Sequence, residues 1–390
     1  MVRYHSLDNY CRLEGKPGIK KLFHRIGSVQ YDPLNVVGRN PDLVLQSRIK
    51  NYSASLLNDL LYRDRVLIDG WDKEMSIYSG TDWPFFSRVR RQRKEDSLNI
   101  LKRRGQEEVL SFLPEIISEI KKRGPLGARE IKLGATQKNR WGHRQISGAA
   151  MDFLYASGEL GIHKKNNSQK VYDLTGNLLP DKILNAAEPF SDDNSFLEWY
   201  VQRRIGSMGA YWPRNGTGWL GYYLSDSGRR QNAINALEEK NLIIPLIVSE
   251  LGETFYFRSK DISLLNEKEN YDGLGRFLAP LDNILWDRLL LQKVFDFQYS
   301  WEVYVPQDKR KYGYYVLPVL YRNSFIARIE PFKYEKGQPF VIKNLWWEPF
   351  YDKCTAKGKK EIKEAVRACI KIFAGYLGTD LIGNTLINSG

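Results

Sequence analysis

The most constraining feature of the sequence is a series of helical patterns that ends in a hairpin. Residues 107–122 carry apolar side chains at helical spacing, and a Gly-Pro pair ends the pattern. Residues 125–131 predict a short second helix, and residues 143–157 predict a third. Residues 161–174 then predict two strands joined by an Asn-Asn-Ser turn. This order is typical of a winged helix-turn-helix, whose third helix can enter a DNA groove while its wing contacts phosphate.

The same order recurs elsewhere without close sequence identity. Residues 195–206 and 227–241 are predicted to be helical, and residues 242–259 alternate as a second wing. A weaker first copy, two helices and a wing, is predicted at residues 19–27, 53–62 and 65–79. Three tandem winged helices therefore fit residues 1 to 265.

The periodicity changes after residue 275. Alternating segments predict strands at residues 301–306, 312–321, 324–334 and 341–349, with prolines at strand ends, edges or bulges (Pro306, Pro318 and Pro331). Residues 356–378 predict an amphipathic helix whose buried stripe contains Ile362, Val366, Cys369, Ile370 and Phe373. The predicted fold class is α+β, with tandem winged helix-turn-helix units arranged around a small antiparallel β-barrel.

The predicted domain boundaries follow these changes of pattern. Residues 1–105 form an N-terminal winged-helix unit with a catalytic loop and a basic connector. Two more winged helices, a barrel and a C-terminal helix are expected at residues 106–180, 190–265, 275–350 and 355–390.

The charge indicates an anionic partner but excludes few classes of protein. The chain has 59 basic and 46 acidic residues, a net charge of +13, and residues 88–104 hold eight Lys or Arg against two acids. Nucleic acid is one interpretation. A basic enzyme whose charge only keeps it in solution, with residues 88–104 as a solvated helix face, is the other.

The cysteines and histidines argue against a disulfide framework and a metal centre. Three cysteines lie far apart, and four histidines have no zinc-ligand spacing. We therefore expect no metal and no cofactor. No segment approaches the length of an apolar membrane span, so we expect no membrane association and a cytoplasmic location.

The best local candidate for chemistry is Gln30-Tyr31-Asp32-Pro33. Pro33 disfavours a helix at Asp32 and favours an extended chain, in which residues i and i+2 point to the same side. Gln30 and Asp32 would then project together and could hold a water between an amide and a carboxylate. The alternative is that Asp32 only caps a turn while Gln30 lies on the surface.

The surrounding residues 26–49 resemble the signature of the AlkZ/YcaQ family of bacterial winged-helix DNA glycosylases. That signature is Gln, an apolar residue, then Gln or Asp, followed by an Asn-Val run and a downstream Ser-Arg. Similar segments follow in order at residues 66–86, 124–131, 140–143, 154–160, 170–174, 277–321 and 327–334. The resemblance therefore covers essentially the whole chain.

The resemblance implies a monofunctional DNA glycosylase that excises N-alkylated purines and unhooks interstrand crosslinks. It implies a fold that forms a cradle for duplex DNA, and we expect a monomer acting at the bacterial nucleoid. Aspartate at position 32 is similar to the Gln-apolar-Asp clade, in which Asp32 would stabilise an oxocarbenium-like sugar and take a proton from water that Gln30 orients. Pro33 and Lys73 depart from the family pattern, and Lys73 puts in doubt a site role for Trp71 and Glu74.

The candidate DNA contacts lie in four segments. They are Asn35 and Arg39 after the catalytic pair, Arg90, Arg91 and Arg93 in the basic segment, Lys164 and Lys165 on the first clear wing, and Lys309, Arg310 and Lys311 at a predicted hairpin tip. For each of them a solvated turn or helix face is the alternative.

Two other functions remain open. A winged-helix transcription regulator without catalytic activity would explain the wings and the charge, but not the barrel or the Gln-Tyr-Asp loop. A metal nuclease would use Asp282, Glu330 and Lys333, although its Glu-x-x-Lys spacing departs from the usual Glu-x-Lys.

Overall fold

The computed structural model describes residues 1–131, 133 and 146–383. It divides into two compact units, one formed by Met1–Leu57 with Leu197–Gly390 and the other by Asn58–Phe196. Each unit combines helices with small antiparallel sheets, which confirms the predicted mixture of α and β structure. Within the described residues, no helix is both long enough and apolar enough to cross a membrane.

The Asn58–Phe196 unit begins with a π-helical segment, Asp59–Arg63. A hairpin of the strands Leu67–Trp71 and Met75–Ser79 follows, as predicted for residues 65–79. A 3₁₀ segment at Gly80–Phe86 leads into the Ser87–Arg103 helix, which contains most of the basic segment. The unit continues through a 3₁₀ segment Glu107–Phe112, a helix Leu113–Arg123, a strand Leu126–Gly127, a helix Ile146–Ser157, strands Leu160–Asn166 and Gln169–Leu174, and short helices Thr175–Leu178 and Asp181–Leu184.

The short second helix predicted at residues 125–131 is wrong. Leu126–Gly127 is instead a strand that pairs with the Gln169–Leu174 strand, and only a 3₁₀ turn, Ala128–Glu130, follows it. The Glu130 carboxylate accepts a hydrogen bond from the Gly127 N–H at 2.6 Å, which closes this turn locally. The first residues of the predicted third helix, 143–145, and the family-like segment 140–143 lie outside the described residues.

A three-stranded sheet packs against the two longer helices in the second half of this unit. Its order is Leu126–Gly127, Gln169–Leu174, Leu160–Asn166, and the turn between the last two contains Asn167 at φ +55°. The core beneath the sheet includes the buried residues Ile116, Ile120, Ala150, Leu154, Leu160 and Tyr172. The hairpin and its Asn-Asn-Ser turn were thus predicted correctly.

The other unit begins with an N-terminal layer. It contains the helices Gly15–Ile26, Asn40–Gln46 and Ala54–Asn58 and the strands Leu13–Glu14, Ser28–Gln30 and Ile49–Lys50. After residue 197 it contains most of the helix Asp193–Met208, the helices Ser227–Glu239, Ser263–Asn266, Arg288–Phe295, Pro349–Asp352 and Ala356–Leu377, and a hairpin of the strands Ile243–Val248 and Glu253–Arg258. The helices near 195–206 and 227–241 and the hairpin at 242–259 agree with the prediction.

The alternating region forms a four-stranded antiparallel sheet in linear order. Its strands are Gly275–Phe277, Leu317–Tyr321, Ser324–Pro331 and Ile342–Trp347. The sheet is open within the described residues, so the predicted closure into a barrel is not seen. A register shift lies between Glu330 and Pro331, as expected for a residue that cannot donate to a ladder. Pro318 instead pairs in register with Arg328, and the nearest shift lies between Val319 and Leu320.

The strand predicted at residues 301–306 is wrong. The segment contains a 3₁₀ turn, Glu302–Tyr304, and a second 3₁₀ turn follows at Gln307–Lys309. Residues 308–312 are therefore preceded directly by 3₁₀ turns and not by a strand, so they form a loop and not a hairpin tip. Local alternation alone could not distinguish the two structures, because the loop is closed by a carboxylate several residues away from its tip.

The Ala356–Leu377 helix packs against the first strand of the sheet. Thr355 caps its N-terminus by accepting from the Gly358 N–H, and Gly378 ends it at φ +76°. Its predicted stripe, Ile362, Val366, Cys369, Ile370 and Phe373, is buried. The Phe373 ring meets the Phe277 ring edge to face at 5.4 Å, which fixes the helix on the sheet.

Candidate active site

Gln30 ends a fully buried strand whose backbone is held by two asparagine side chains. The Asn283 amide donates to the Ser28 carbonyl at 3.0 Å, and the Asn40 amide donates to the Gln30 carbonyl at 2.8 Å. Asn40 in turn accepts from the Leu281 N–H at 3.0 Å. The strand that presents Gln30 is therefore fixed by residues distant in sequence.

The side chain of Gln30 is buried, but its oxygen has no protein partner. Gln30 is 9% exposed, and its Oε1 atom has no hydrogen bond from any described residue. A buried amide oxygen without a partner costs about 1–3 kcal/mol relative to a satisfied one. Among the described residues, the site therefore presents a buried acceptor that is open to a hydrogen bond from a water or a ligand.

Asp32 lies two residues further on, in an extended segment without regular structure. It is half-buried, and its Oδ1 accepts from the Leu34 N–H at 2.8 Å. Burial raises the pKa of the Asp32 carboxyl, and the Leu34 N–H opposes that rise only partly. Burial also raises the pKa of Tyr315, and the charges of Tyr299 and Asp32 raise it further.

Three further contacts hold the loop of residues 31–39. The Asn35 side chain accepts from the Gly38 N–H at 2.9 Å, and the Tyr334 N–H donates to the Val36 carbonyl at 2.8 Å. Gly38 has φ +139°, and a Cβ added there would lie 2.3 Å from the hydroxyl oxygen of Tyr376. The C-terminal helix thus packs directly onto the loop that carries Asp32.

Comparison with known proteins bears on this site. The family described as DNA glycosylase AlkZ-like matches residues 23–374, a span that includes Gln30 and Asp32. The chain belongs to the AlkZ-like DNA glycosylase family. The family predicted from the sequence motifs is therefore confirmed, and membership supports DNA glycosylase activity with DNA as the substrate.

A solved structure agrees with this family at the level of the fold. The chain is similar to the Streptomyces sahachiroi DNA glycosylase AlkZ, with a TM-score of 0.63 and 11% sequence identity. The match covers 99% of this chain and 97% of that chain. At 11% identity the likeness concerns the fold alone. The roles of single residues must therefore follow from the geometry of the present chain.

The basic Ser87–Arg103 helix of this glycosylase is partly neutralised by its own unit. Arg88 pairs with Glu188 and Asp193, and Arg91 pairs with Glu188 at 2.8 Å. These acids follow in the chain after the helix and were missed because their pairing is not visible in local sequence. Arg91 keeps 65% of its side chain exposed, so one pair does not remove it from solvent.

Two other predicted contacts on this helix lie against tryptophans. The Arg90 guanidinium is 3.7 Å from the Trp83 ring centroid and donates to the Trp83 carbonyl at 2.7 Å. Burial lowers the pKa of Arg90. Arg93 lies 4.3 Å from the Trp71 ring centroid and 3.9 Å from the Glu74 carboxylate. Trp71 and Glu74 therefore both have Arg93 as a structural partner, and Lys73 between them is buried.

The two lysines predicted on the first wing differ in their exposure. Lys164 is exposed, whereas the Lys165 side chain is 2% exposed and forms a buried ion pair with Asp69. A lysine with a buried carboxylate partner is not available to a phosphate without breaking that pair. Among the wing lysines, only Lys164 is retained as a candidate DNA contact.

The residues of the metal-nuclease alternative are used structurally. Asp282 forms a two-bonded ion pair with Arg48 at 2.7 and 2.8 Å, and both side chains are fully buried. Glu330 accepts from the Tyr314 N–H at 3.0 Å and from the Asn344 amide at 2.9 Å. In the described ranges, no three His, Cys, Asp or Glu side chains are grouped so that they could hold a metal ion.

Proposed function

We propose that this glycosylase hydrolyses the bond between deoxyribose and a purine alkylated at N7 or N3, including purines joined in an interstrand crosslink. The proposal rests on the family and on the aspartate at position 32, which is similar to the Gln-apolar-Asp clade. The reaction is hydrolysis by water, without a lysine nucleophile and without strand cleavage.

The leaving group sets how much catalysis the protein must supply. A purine alkylated at N7 or N3 is cationic, so it departs as a neutral base without a strong general acid. What remains is an oxocarbenium-like sugar and an attacking water, as in other glycoside hydrolyses. A single carboxylate beside a water-orienting group is a sufficient set for this chemistry.

Asp32 would supply the carboxylate. Its negative charge stabilises the sugar cation as the base departs, and the carboxylate then accepts a proton from the attacking water. The upward shift of its pKa by burial makes it a better proton acceptor than an ordinary surface aspartate. The hydrogen bond from Leu34 holds one oxygen, which fixes the orientation of the carboxylate.

The observation that carries the proposal is the buried Gln30 oxygen without a protein partner, two residues before Asp32. Such an acceptor suits a water that donates one hydrogen to Gln30 and the other to Asp32. The water would then be oriented with its lone pair toward the sugar carbon. A purely structural glutamine at this position would be expected to have its oxygen satisfied.

DNA contacts are proposed for exposed or half-exposed polar groups near the loop and on the helix and wing. They are Asn35, Arg39, Arg91, Lys164, Lys309 and Lys311. The helix-and-hairpin segments within residues 106–180 and 190–265 support winged-helix units, in which the hairpin would touch phosphate. Most of the affinity would then depend on salt.

The experiment is single-turnover excision on duplexes carrying 7-methylguanine or a nitrogen-mustard crosslink, without metal. Asp32→Asn should slow release about 100-fold or more, the usual contribution of a general base, and Gln30→Ala should slow it about 10-fold through poorer orientation of water. Asp296→Asn is the matched control, because this exposed aspartate lies at φ +50°, where asparagine is well tolerated.

Undiminished excision in both the Asp32 and the Gln30 variants would overturn the catalytic assignment. Binding to one preferred sequence without any base release would favour the transcription-regulator alternative. Cleavage of the DNA strand in a reaction to which no separate lyase has been added would contradict the proposal that the enzyme is monofunctional.

A further inference from the structure

The Tyr304 side chain is unusually exposed to solvent. Its side chain is 86% exposed, more than any other large hydrophobic side chain in the described part of the chain. It ends the 3₁₀ turn Glu302–Tyr304, just before Val305 and Pro306. An aromatic ring left in water without burial offers a flat surface for a stacking partner.

The loop that carries this ring is held by several internal hydrogen bonds. We call residues 301–315 the Glu302 loop, because the Glu302 carboxylate accepts the backbone N–H groups of Lys311, Tyr312 and Gly313 at 3.0, 2.9 and 3.1 Å. Burial raises the pKa of Glu302, but these three donors outweigh it and the net shift is downward. The Arg310 guanidinium adds a bond to the Val305 carbonyl at 2.8 Å. A ring held on such a loop loses little entropy when it is contacted.

A row of aromatic rings extends from Tyr304 to the buried Tyr315. The Tyr304 ring meets the Trp301 ring at 6.2 Å, and the Trp301 ring meets the Tyr315 ring at 6.3 Å, both edge to face. Tyr315 is 2% exposed, and the N–H of its neighbour Tyr314 donates to the Glu330 carboxylate at 3.0 Å. Four residues after Glu330, the Tyr334 N–H donates to the Val36 carbonyl at 2.8 Å. The Glu302 loop and the loop that carries Asp32 are therefore both held by the short segment of residues 330–334.

The same loop also carries two exposed cations. Lys309 and Lys311 are exposed, and Lys311 lies 5.1 Å from the Tyr312 ring centroid. An exposed aromatic beside lysines is the combination that proteins use to hold nucleic acid, with the ring on a base and the charges on phosphates. A protein partner would instead be expected to need a wider apolar surface around Tyr304.

We propose that Tyr304 stacks on a nucleobase next to the excised one, while Lys309 and Lys311 contact the adjoining phosphates. The Glu302 loop would then occupy the space opened in the base stack and hold the damaged nucleotide at Asp32. The identity of the excised base rests on the proposed function. The DNA contact itself rests only on membership of the glycosylase family and on the geometry of the loop.

The test combines photocrosslinking with affinity. Duplexes carry 5-iodouracil on either side of 7-methylguanine or of an ordinary guanine, and the crosslinked peptide is identified by mass spectrometry. The wild-type chain should crosslink through Tyr304, and Tyr304→Phe should retain the crosslink. Tyr304→Ala should lose it and bind about 5- to 150-fold more weakly, the range for loss of one stacked base.

Salt dependence separates stacking from charge. Tyr304→Ala should leave the log–log slope of affinity against salt unchanged, whereas Lys309→Ala and Lys311→Ala should each reduce it by about 0.9. Phe350→Ala is the matched control, because it removes another exposed ring (44% exposed) outside the Glu302 loop and should leave binding and crosslinking unchanged.

Two results would overturn the proposal. One is a crosslink that maps outside residues 301–315, and the other is wild-type affinity and excision by Tyr304→Ala. If alkylated purines are not released but the Tyr304 crosslink persists on both duplexes, the proposed substrate fails and the base contact stands.

Discussion

Substitution of Gly38 by alanine tests whether the C-terminal helix fixes the loop that carries Asp32. The added methyl carbon would lie 2.3 Å from the Tyr376 hydroxyl oxygen and 3.1 Å from a Leu43 methyl carbon, while ordinary contacts are near 3.5–4.0 Å. Tyr376 cannot move aside freely, since its ring stacks on Tyr52 with centroids 6.0 Å apart.

The expected loss has two parts. A non-glycine residue at φ +139° costs about 1–3 kcal/mol, and overpacking adds about 1–3 kcal/mol, so Gly38→Ala should destabilise by about 2–6 kcal/mol. At about 2–4 °C per kcal/mol this lowers the melting temperature by about 4–24 °C. Displacement of Asp32 by about 1 Å should also slow excision about 100-fold.

Tyr376→Phe provides the matched partner variant. It removes only the oxygen at 2.3 Å, after which the nearest atoms to the new methyl carbon are at 3.1 and 3.3 Å. The Gly38→Ala, Tyr376→Phe double variant should therefore recover the overpacking part, about 1–3 kcal/mol, and keep the backbone part. Thermal unfolding and single-turnover excision measure both. The reasoning is refuted if Gly38→Ala melts within 1 °C of the wild type, or if Tyr376→Phe restores nothing.

Three further predictions concern charge. Arg48→Met leaves a fully buried Asp282 carboxylate without its partner and should lower the free energy of unfolding by about 3–5 kcal/mol, as denaturant unfolding would show; a change below 1 kcal/mol would contradict it. Lys165→Met should lower the free energy of unfolding for the same reason, because it leaves the buried Asp69 without its partner. Lys164→Met should leave stability unchanged and reduce the log–log slope of DNA affinity against salt by about 0.9. Equal effects of the two variants would refute the assignment of Lys164 to DNA and Lys165 to the buried ion pair. Burial raises the pKa of Asp32, so the rate of excision should fall as the pH drops through a value above the ordinary aspartate pKa. Above that pH, the ionised and buried Asp32 carboxylate lowers the free energy of unfolding. Asp32→Asn should therefore unfold at no lower temperature than the wild type at pH 7, and a lower one would show that the carboxylate is structural.

The sequence determined the parts of this protein that depend on neighbours along the chain. Periodicity located the Leu113–Arg123 and Ala356–Leu377 helices, and the Asn-Asn-Ser turn located the Leu160–Asn166 hairpin. The family was also readable, because its motifs are short, local and in a fixed order. Gln30 and Asp32 were found for the same reason, and their catalytic roles remain a prediction.

Only the tertiary structure decided which charged and polar groups are available. Lys164 and Lys165 are equivalent in sequence, yet one is exposed while the other is buried against Asp69. The segment at residues 301–306 alternates like a strand, but Glu302 binds three N–H groups across the loop and holds it as a turn. Both outcomes depend on partners brought together by packing, and the free energy of burying a charge or an N–H group is set by those partners and not by the residues beside it in the chain.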